Sequence, residues 1–400
     1  MDSGHRRLLW LLGLAIFFEG YGRSFVVITL SYVGRDLGAE PAALSYAMAV
    51  ISVGSLGVLA LGPLADRFGR RRLLLGSVLL YSLLGAGTAS ATALPTLVAW
   101  QAAGRMFQEG ALFAAAVIAA EEMPAAKRAE AQGLLGTANS LGSGLVGILL
   151  ATIEWVPGGW RGLTLISLVP IFLLPLLARA IPESERWRHR AGRATRLLPA
   201  AYRGRLAAVL AVVFLGMSYD VAGFAFATYV PISQYGWSPA AASAMIVVAG
   251  GIGLPGWWLG GQLADRRGRR SAAILFLIGL TLAQLAFYLG GPRTAFPAFA
   301  VMVFCQGGKI TIFRSWGTEL FPTSFRGAAA GWLTAGGMLG GMAGLAVAGA
   351  LERVLGGIGP ALAAVSSAGI VAAAVTWMWL PETRGLELEA IAPEPSGTAP

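Results

Sequence analysis

Long uninterrupted apolar runs dominate the chain from Leu8 to Leu380. Each run is about 20 residues or longer, the length that an α-helix needs to cross the hydrocarbon core of a bilayer. The apolar positions are continuous and do not alternate with polar ones, which disfavours a transmembrane β-barrel. The pattern predicts an all-α membrane protein with twelve spans, at residues 8–32, 43–65, 73–92, 95–119, 129–153, 160–180, 206–232, 239–263, 271–290, 295–318, 327–350 and 357–380.

Composition supports the same prediction. The mean hydropathy is +0.68 and only 12% of the residues are charged, which is not the composition of a soluble protein. The 55 glycines suit helices that pack closely in lipid, because small residues let two backbones approach each other. The lipid bilayer is therefore the first predicted partner.

The positive charges lie mostly on one side of the predicted helices. Most Lys and Arg residues fall in segments that share a side with the N-terminus, whereas the opposite segments hold Arg35, Arg161, Arg293 and Arg353. This asymmetry follows the positive-inside rule, so we predict that both termini are cytoplasmic. The net charge of +10 then needs no nucleic acid partner. A strong bias to Arg over Lys hints at a GC-rich microbial genome, so we expect a multi-pass protein of a microbial cytoplasmic membrane.

Three charged words occur twice, each at an offset of 198 or 199 residues. They are LADRFGRR at 64–71 with LADRRGRR at 263–270, ExxPxxxR at 121–128 with 319–326, and PES at 182–184 with PET at 381–383. A shared offset indicates a parallel duplication, with two six-helix halves related by an axis along the membrane normal. We therefore predict an N-terminal half at 1–180, a cytoplasmic linker at 181–205, a C-terminal half at 206–380 and a cytoplasmic tail at 381–400.

These words resemble those of a known family. GPLADRFGRR at 62–71 is similar to the loop signature of the major facilitator superfamily, and PETRGLELE at 381–389 is similar to the C-terminal word of its sugar porters. FFEGYGRSF at 17–25 resembles the acidic first-helix word of aromatic acid:proton symporters and related organic ion carriers, with Glu19 and Gly22 in place of two Asp. The resemblance implies a secondary transporter from the sugar porter, metabolite:proton symporter or organic ion carrier branch, working by alternating access.

Charged residues near the middle of predicted spans mark a candidate site. A Lys, Arg or Asp at a helix centre costs about 2.5–3.5 kcal/mol on the insertion scale, so each should face a cavity, a partner or a pathway. They lie on the first, fourth, seventh and tenth helices, which the resemblance makes the cavity helices. The residues are Glu19, Arg23, Arg105, Glu109, Asp220, Lys309 and Arg314.

Spacing suggests roles for these charges. Glu19 and Arg23 are one turn apart, as are Arg105 and Glu109, so each pair is predicted to neutralise itself along its helix, or to be a purely structural ion pair. Lys309 and Arg105 favour an anionic substrate, with a carboxylate bound bidentately by Arg105. Arg314 either lines the cavity or extends to the membrane surface.

Asp220 has no basic residue within one turn on its own helix. A buried carboxyl group without a fixed cation favours its neutral form, so we predict Asp220 as the proton carrier, with Glu19 as a second proton-coupling residue. The alternative is a standing ion pair between Asp220 and Lys309. Aromatic residues on the same helices are predicted either to contact substrate or to serve ordinary packing; they are Tyr21, Phe107, Tyr219 and Trp316.

The duplicated words also predict a cytoplasmic gate. The resemblance implies that Asp66 contacts the facing half near Arg326, and that Asp265 does so near Arg128. The glutamates that begin the two ExxPxxxR words are expected to form ion pairs with Arg70 and Arg269 in the same layer. Such contacts exist only while the cytoplasmic side is closed. The predicted gate residues are Asp66, Arg70, Glu121, Arg128, Asp265, Arg269, Glu319 and Arg326.

Enzyme chemistry finds no support in the sequence. Cys305 is the single cysteine and the two histidines lie in cytoplasmic segments, so we predict no metal site and no cofactor. The leading hypothesis is a monomeric secondary transporter that moves a small organic anion together with a proton. The alternative is a facilitator or proton antiporter that exports neutral or cationic compounds, such as a sugar or a drug.

Overall fold

The computed structural model describes residues 3–61, 67, 69–123, 128–181, 200–322, 325–384 and 391–393. Within these ranges every regular element is a helix, and eleven of the helices are long and apolar enough to cross a membrane. The all-α membrane architecture is therefore confirmed. A further helix, Leu94–Glu122, has the length of a span but is not among the eleven, and Arg105 and Glu109 interrupt its apolar run. The count of twelve spans stays a prediction.

The helices have the following bounds. They are α1 Ser3–Asp36, α2 Pro41–Leu61, α3 Arg70–Ser90, α4 Leu94–Glu122, α5 Arg128–Leu150, α6 Trp160–Ala180, α7 Ala200–Ala225, α8 Pro239–Arg267, α9 Arg269–Leu289, α10 Pro292–Glu319, α11 Arg326–Val354 and α12 Ile358–Trp379. A turn of 3₁₀-helix interrupts α2, a longer 3₁₀ stretch interrupts α6, and a π-turn interrupts α8.

The chain folds into two compact units. The first contains residues 1–40, 50–193 and 236–244, and the second contains residues 41–49, 194–235 and 245–400. The start of α2 packs within the second unit, where the Ser45 hydroxyl donates to the main-chain carbonyl of Leu345 at 2.6 Å. In each unit large apolar side chains also remain exposed, as expected for helices surrounded by lipid: Phe172 is 80% exposed and Trp377 is 62% exposed.

Glycine contacts repeat between the units. On α5, a Cβ added to Gly142 would lie 1.7 Å from the carbonyl oxygen of Phe17 on α1. On α11, a Cβ added to Gly340 would lie 2.1 Å from the carbonyl oxygen of Phe214 on α7. The two glycines are 198 positions apart, and at both sites only glycine lets the two backbones approach. The duplication read from the charged words thus extends to helix packing.

The loop glycines of the duplicated words share one backbone conformation. Gly69 has φ 95° and ψ 145°, and Gly268 has φ 104° and ψ 148°, a region that side chains other than glycine rarely adopt. The next residue begins a helix in both cases, Arg70 in α3 and Arg269 in α9. Each glycine therefore turns the chain so that an arginine occupies the first turn of the following helix.

Candidate functional site

A polar cluster in the first unit is centred on Glu19 of α1. Arg23 Nε donates to Glu19 Oε1 at 2.8 Å, and the Asn139 amide of α5 donates to Glu19 Oε2. α5 can come this close because position 20 is glycine: a Cβ at Gly20 would lie 2.1 Å from the carbonyl oxygen of Asn139. The predicted Glu19–Arg23 pair is formed. Sequence reasoning missed Asn139, although a carboxamide within an apolar helix is itself a signal.

Arg23 also reaches across to α4. Its Nη2 lies 2.6 Å from Glu109 Oε1, so two carboxylates share one guanidinium. The predicted Arg105–Glu109 pair is not found among the described contacts, because the Glu109 carboxylate lies against Arg23 instead. Spacing along one helix identified a possible partner, but the neighbouring helix supplied a better one.

Arg105 is buried beside this network without a carboxylate of its own. Its Nη2 donates to the main-chain carbonyl of Arg23 at 3.0 Å, and within the described part of the chain this is the one hydrogen bond or ion pair of the guanidinium. α2 presses against the helix here, since a Cβ at Gly54 would lie 2.1 Å from the Ala102 carbonyl oxygen and 3.0 Å from Arg105 Cβ. The remaining N–H groups of Arg105 can bind an anion.

The second unit holds a different arrangement around Asp220 of α7. Lys309 Nζ of α10 lies 2.6 Å from Asp220 Oδ2 and donates to the main-chain carbonyl of Gly216 at 2.8 Å. Gln306 Nε2 donates to Asp220 Oδ1 at 2.8 Å. The standing ion pair is thus what the structure contains. The premise that Asp220 lacks a fixed cation is wrong, because its cation lies on another helix.

The predicted aromatic contacts are occupied by packing within their own units. The hydroxyl groups of Tyr21 and Tyr219 donate to main-chain carbonyls at 2.7 and 3.2 Å, and Phe107 packs against the apolar core of the first unit. Trp316 is fully buried and stacks on Phe313 with ring centroids 5.8 Å apart. All four side chains therefore take part in packing within their units, and their predicted contact with substrate stays a prediction.

Arg314 occupies a position unlike that of the other charges. Its side chain is exposed, and its guanidinium carbon lies 5.8 Å from the ring centre of Trp257. This geometry is that of a long cation covering an apolar surface, and the choice between a cavity-lining role and extension to the membrane surface stays a prediction.

A small cavity lies within the first unit, and none of the predicted charged residues lines it. Its aromatic wall comprises Tyr21, Phe25, Tyr81 and Trp100, and its polar wall includes Gln101 and Gln108. The space is about the size of one water molecule. Gln108 was not predicted, since sequence reasoning followed formal charge and an amide carries none.

Both predicted arginine–glutamate pairs of the gate are formed, one in each unit. Arg70 Nη2 lies 3.5 Å from Glu121 Oε1, and Arg269 Nε lies 3.3 Å from Glu319 Oε1. The equivalent positions of the two words therefore carry the same contact. This agreement follows from the shared glycine conformation that begins α3 and α9.

The contacts predicted for the two aspartates of the gate are not found among the described contacts. Asp265 forms an ion pair with Arg269 at 2.9 Å, one turn along the chain. Asp66 and the side chains of Arg128 and Arg326 lie outside the described residues, so their predicted contacts stay predictions.

The PET word adds contacts at the start of α9 that were not predicted. Glu382 accepts hydrogen bonds from the main-chain N–H groups of Arg269 and Arg270, at 2.7 and 3.2 Å. The Thr383 hydroxyl donates to Glu319 Oε2 at 2.7 Å. A carboxylate at a helix N-terminus satisfies exposed N–H groups and interacts favourably with the helix dipole. Glu382 thus joins the end of α12 to α9.

Comparison with known proteins identifies the family. The sequence matches the model of the Major Facilitator Superfamily over residues 12–317. It is similar to the niacin transporter NiaP of Acinetobacter baylyi, with 25% identity over 379 residues and 85% of both chains covered. It is also similar to the gallate transporter of Pseudomonas putida, with 26% identity over 398 residues, covering 86% of this chain and 85% of the relative.

Among solved structures, the inward-open xylose transporter XylE from E. coli has a TM-score of 0.79 and 18% identity, covering 97% of this chain and 99% of that chain. This likeness shows a shared fold. The protein is a transporter and not an enzyme. Together, the apolar helices, the duplicated words and the match to the family model show that the chain belongs to the Major Facilitator Superfamily, as a multi-pass protein of the cytoplasmic membrane.

Proposed function

We propose that the protein is a secondary transporter of a small aromatic carboxylate, moved together with a proton by alternating access. The observation that carries this proposal is Arg105, a buried guanidinium whose one described contact is a main-chain carbonyl. A planar guanidinium binds a carboxylate through two parallel hydrogen bonds, which gives both affinity and orientation. The relatives named for niacin and gallate transport support an aromatic acid, since both compounds are aromatic carboxylic acids.

Lys309 is not the anion-binding cation in this proposal, although the sequence suggested it. Its side chain is fully buried, and its ammonium group already contacts Asp220 and the main-chain carbonyl of Gly216. An anion would have to displace a carboxylate from a closed site. We therefore assign recognition of the substrate charge to the first unit.

The charge balance around Arg105 suggests how a proton is coupled. Glu19, Glu109, Arg23 and Arg105 together have no net charge. A bound carboxylate adds one negative charge, and protonation of one of the two glutamates restores neutrality in the membrane interior. Glu19 and Glu109 share Arg23, so each can lose its charge while the other keeps the guanidinium paired. We place the coupling proton on this pair and not on Asp220.

Alternating access in this proposal uses the duplicated words as a cytoplasmic gate. The Arg70–Glu121 and Arg269–Glu319 pairs support such a layer, and the positive-inside asymmetry supports its cytoplasmic side. α4 is the twelfth span of this arrangement, and its polar residues are tolerated because Arg105 and Glu109 are buried within the bundle.

Uptake into proteoliposomes tests the proposal. The purified protein would be offered radiolabelled benzoate, nicotinate and gallate, with xylose and a quaternary amine as the neutral and cationic alternatives, with and without an acid-outside pH gradient. We expect accumulation of the acids, stimulated by the gradient and abolished by a protonophore. Accumulation of xylose or of the amine, without transport of any acid, would contradict the proposal and support the facilitator or exporter alternative.

A further inference from the structure

We propose that the small cavity of the first unit is a subsite for a neutral hydrogen-bonding substituent of the substrate, such as a ring hydroxyl, and that Gln108 is its specificity-determining residue. The inference rests on the proposed function, because it places the substituent on the same aromatic acid that Arg105 binds. It adds a prediction of which aromatic acids the transporter prefers.

Gln108 presents an unpaired amide to the cavity. The residue is 4% exposed, it lines the space directly, and its amide has no hydrogen-bond partner in the described part of the chain. Buried polar groups in proteins are nearly always hydrogen-bonded, because an unpaired amide loses its interactions with water and gains nothing in return. An amide that has no partner in the described part of the chain and opens onto a small cavity can therefore bind a group that enters the cavity.

The other polar side chains of the cavity are already engaged. Gln101 Nε2 donates to the Thr88 hydroxyl at 2.8 Å, and the hydroxyl groups of Tyr21 and Tyr81 donate to main-chain carbonyls at 2.7 and 2.9 Å. Ser167 likewise donates to a main-chain carbonyl at 2.6 Å. Among these amide and hydroxyl side chains, Gln108 is the one that has no hydrogen-bond partner in the described part of the chain.

The lining also limits the chemistry of the ligand. None of the side chains that line the cavity is charged, so a carboxylate or an ammonium group would lose its hydration without compensation. The space accepts a group of about the size of one water molecule, which excludes an aromatic ring and admits a hydroxyl or a carbonyl oxygen.

The position of Gln108 relates the cavity to the carboxylate site. Gln108 follows Arg105 by three residues on α4, and side chains at this spacing are neighbours with Cβ atoms about 5–6 Å apart. The two side chains can therefore contact two groups of one small acid, with the ring outside the cavity and only its substituent inside it.

The lack of a side chain at Gly22 of α1 leaves space for the Gln108 amide. A Cβ added at Gly22 would lie 2.7 Å from Gln108 Nε2, the flexible end of the side chain. Gly22→Ala should consequently displace the amide and leave the helices in position. Gly13→Ala is the matched control on the same helix, because its added Cβ would lie 3.9 Å from Ala138 Cβ, which is an ordinary contact.

The test measures uptake of benzoate, 3-hydroxybenzoate and 4-hydroxybenzoate in proteoliposomes for the wild type and for Gln108→Leu, Gly22→Ala and Gly13→Ala. We expect the wild type to prefer one hydroxybenzoate over benzoate by about three- to tenfold in kcat/KM, the range of one hydrogen bond. Gln108→Leu and Gly22→Ala should abolish this preference while benzoate uptake is retained, and Gly13→Ala should keep it. Thermal unfolding in detergent checks that each variant is folded.

Several outcomes would overturn the inference. Equal losses for benzoate and both hydroxybenzoates in Gln108→Leu would mean that Gln108 serves the structure only. Equal kcat/KM values for all three acids in the wild type would mean that the cavity holds only water. In both cases the proposed function would stand, because the acids are still transported. A wild type that transports no aromatic acid would contradict the proposed function itself, and the inference with it.

Discussion

The polar clusters of the two units contain similar residues but differ in how completely their charged groups are paired. In the second unit Asp220 and Lys309 are paired one to one, with side chains 2% and 0% exposed. In the first unit Arg23 serves two carboxylates, its side chain is 30% exposed, and Arg105 has no carboxylate. The second cluster is complete within the protein, whereas the first has unused hydrogen-bond donors on a cation.

This difference separates two uses of charge in a membrane protein. A buried pair with all its partners fixes the distance between two helices, and it has little to gain from a ligand. A cation with unused donors gains from an anion that brings two acceptor oxygens. Although the two clusters contain similar residues, their difference in pairing leads us to propose a structural role for the Asp220 cluster and a recognition role for the Arg105 cluster.

The largest expected effect comes from breaking the complete pair. Lys309→Met leaves Asp220 buried without its cation, so we expect a loss of about 3–5 kcal/mol in unfolding free energy. The double variant Lys309→Met/Asp220→Asn should recover most of this loss, because the neutral side chain keeps Gln306 as a partner. Thermal and denaturant unfolding in detergent would measure both; additive losses in the double variant would contradict a structural pair.

The next effect is on substrate recognition in the open cluster. Arg105→Gln should reduce kcat/KM for benzoate by about a hundredfold, because it removes charged hydrogen bonds to the carboxylate. Arg314→Gln is the matched control, since it makes the same chemical change at an exposed arginine that rests on Trp257. Similar losses in the two variants would show that general positive charge, and not the site, attracts the substrate.

Gradient-driven accumulation of the substrate should show which cluster carries the coupling proton, and its expected change is smaller than the loss in Arg105→Gln. A gradient of one pH unit supports about tenfold accumulation when one proton accompanies one substrate. Replacing the paired carboxylates, in Glu19→Gln or Glu109→Gln, should remove this accumulation while exchange of labelled for unlabelled benzoate continues.

The same measurement on Asp220→Asn is the comparison. We expect a folded Asp220→Asn variant to retain gradient-driven accumulation, even where its stability is lower. Loss of accumulation in Asp220→Asn alone, with normal exchange, would move the coupling proton to the second unit and reverse the comparison.

The smallest effect concerns the start of α9. Glu382→Gln removes the negative charge from this helix N-terminus, so we expect a loss of about 0.5–1 kcal/mol in unfolding free energy. Glu352→Gln is the control, because no contact of its carboxylate is found in the described part of the chain. Equal unfolding midpoints in the two variants would mean that Glu382 does not stabilise the second unit through α9.

Much of the architecture could be predicted from local properties of the sequence. Hydrophobic length located the helices, and the offset of the charged words indicated the duplication that the Gly142 and Gly340 contacts also show. The Arg70–Glu121 and Arg269–Glu319 pairs were predictable as well, because repeated words at a glycine-defined turn give the same local geometry. Each of these features depends on short-range spacing or on repetition.

The candidate site could be predicted only in part. The sequence identified α1, α4, α7 and α10 as the helices that carry charge, because ionisable residues in apolar runs are rare and costly. It did not identify the partners: Glu109 pairs with Arg23, Asp220 with Lys309, and Asn139 reaches Glu19. An amide such as Gln108 marks a polar position in an apolar helix, but its significance depends on being unpaired beside a cavity, which the sequence does not show.

The sequence by itself thus determined that the chain lies in a membrane, is internally duplicated and carries charges on four particular helices. Only the tertiary structure decided which charges neutralise each other and which cation keeps free donors. The physical reason is that hydrophobic length and repetition are local properties of a chain. Ion pairing in a low-dielectric interior instead depends on which helices meet and at what height, and close glycine contacts such as Gly20 against Asn139 set that meeting.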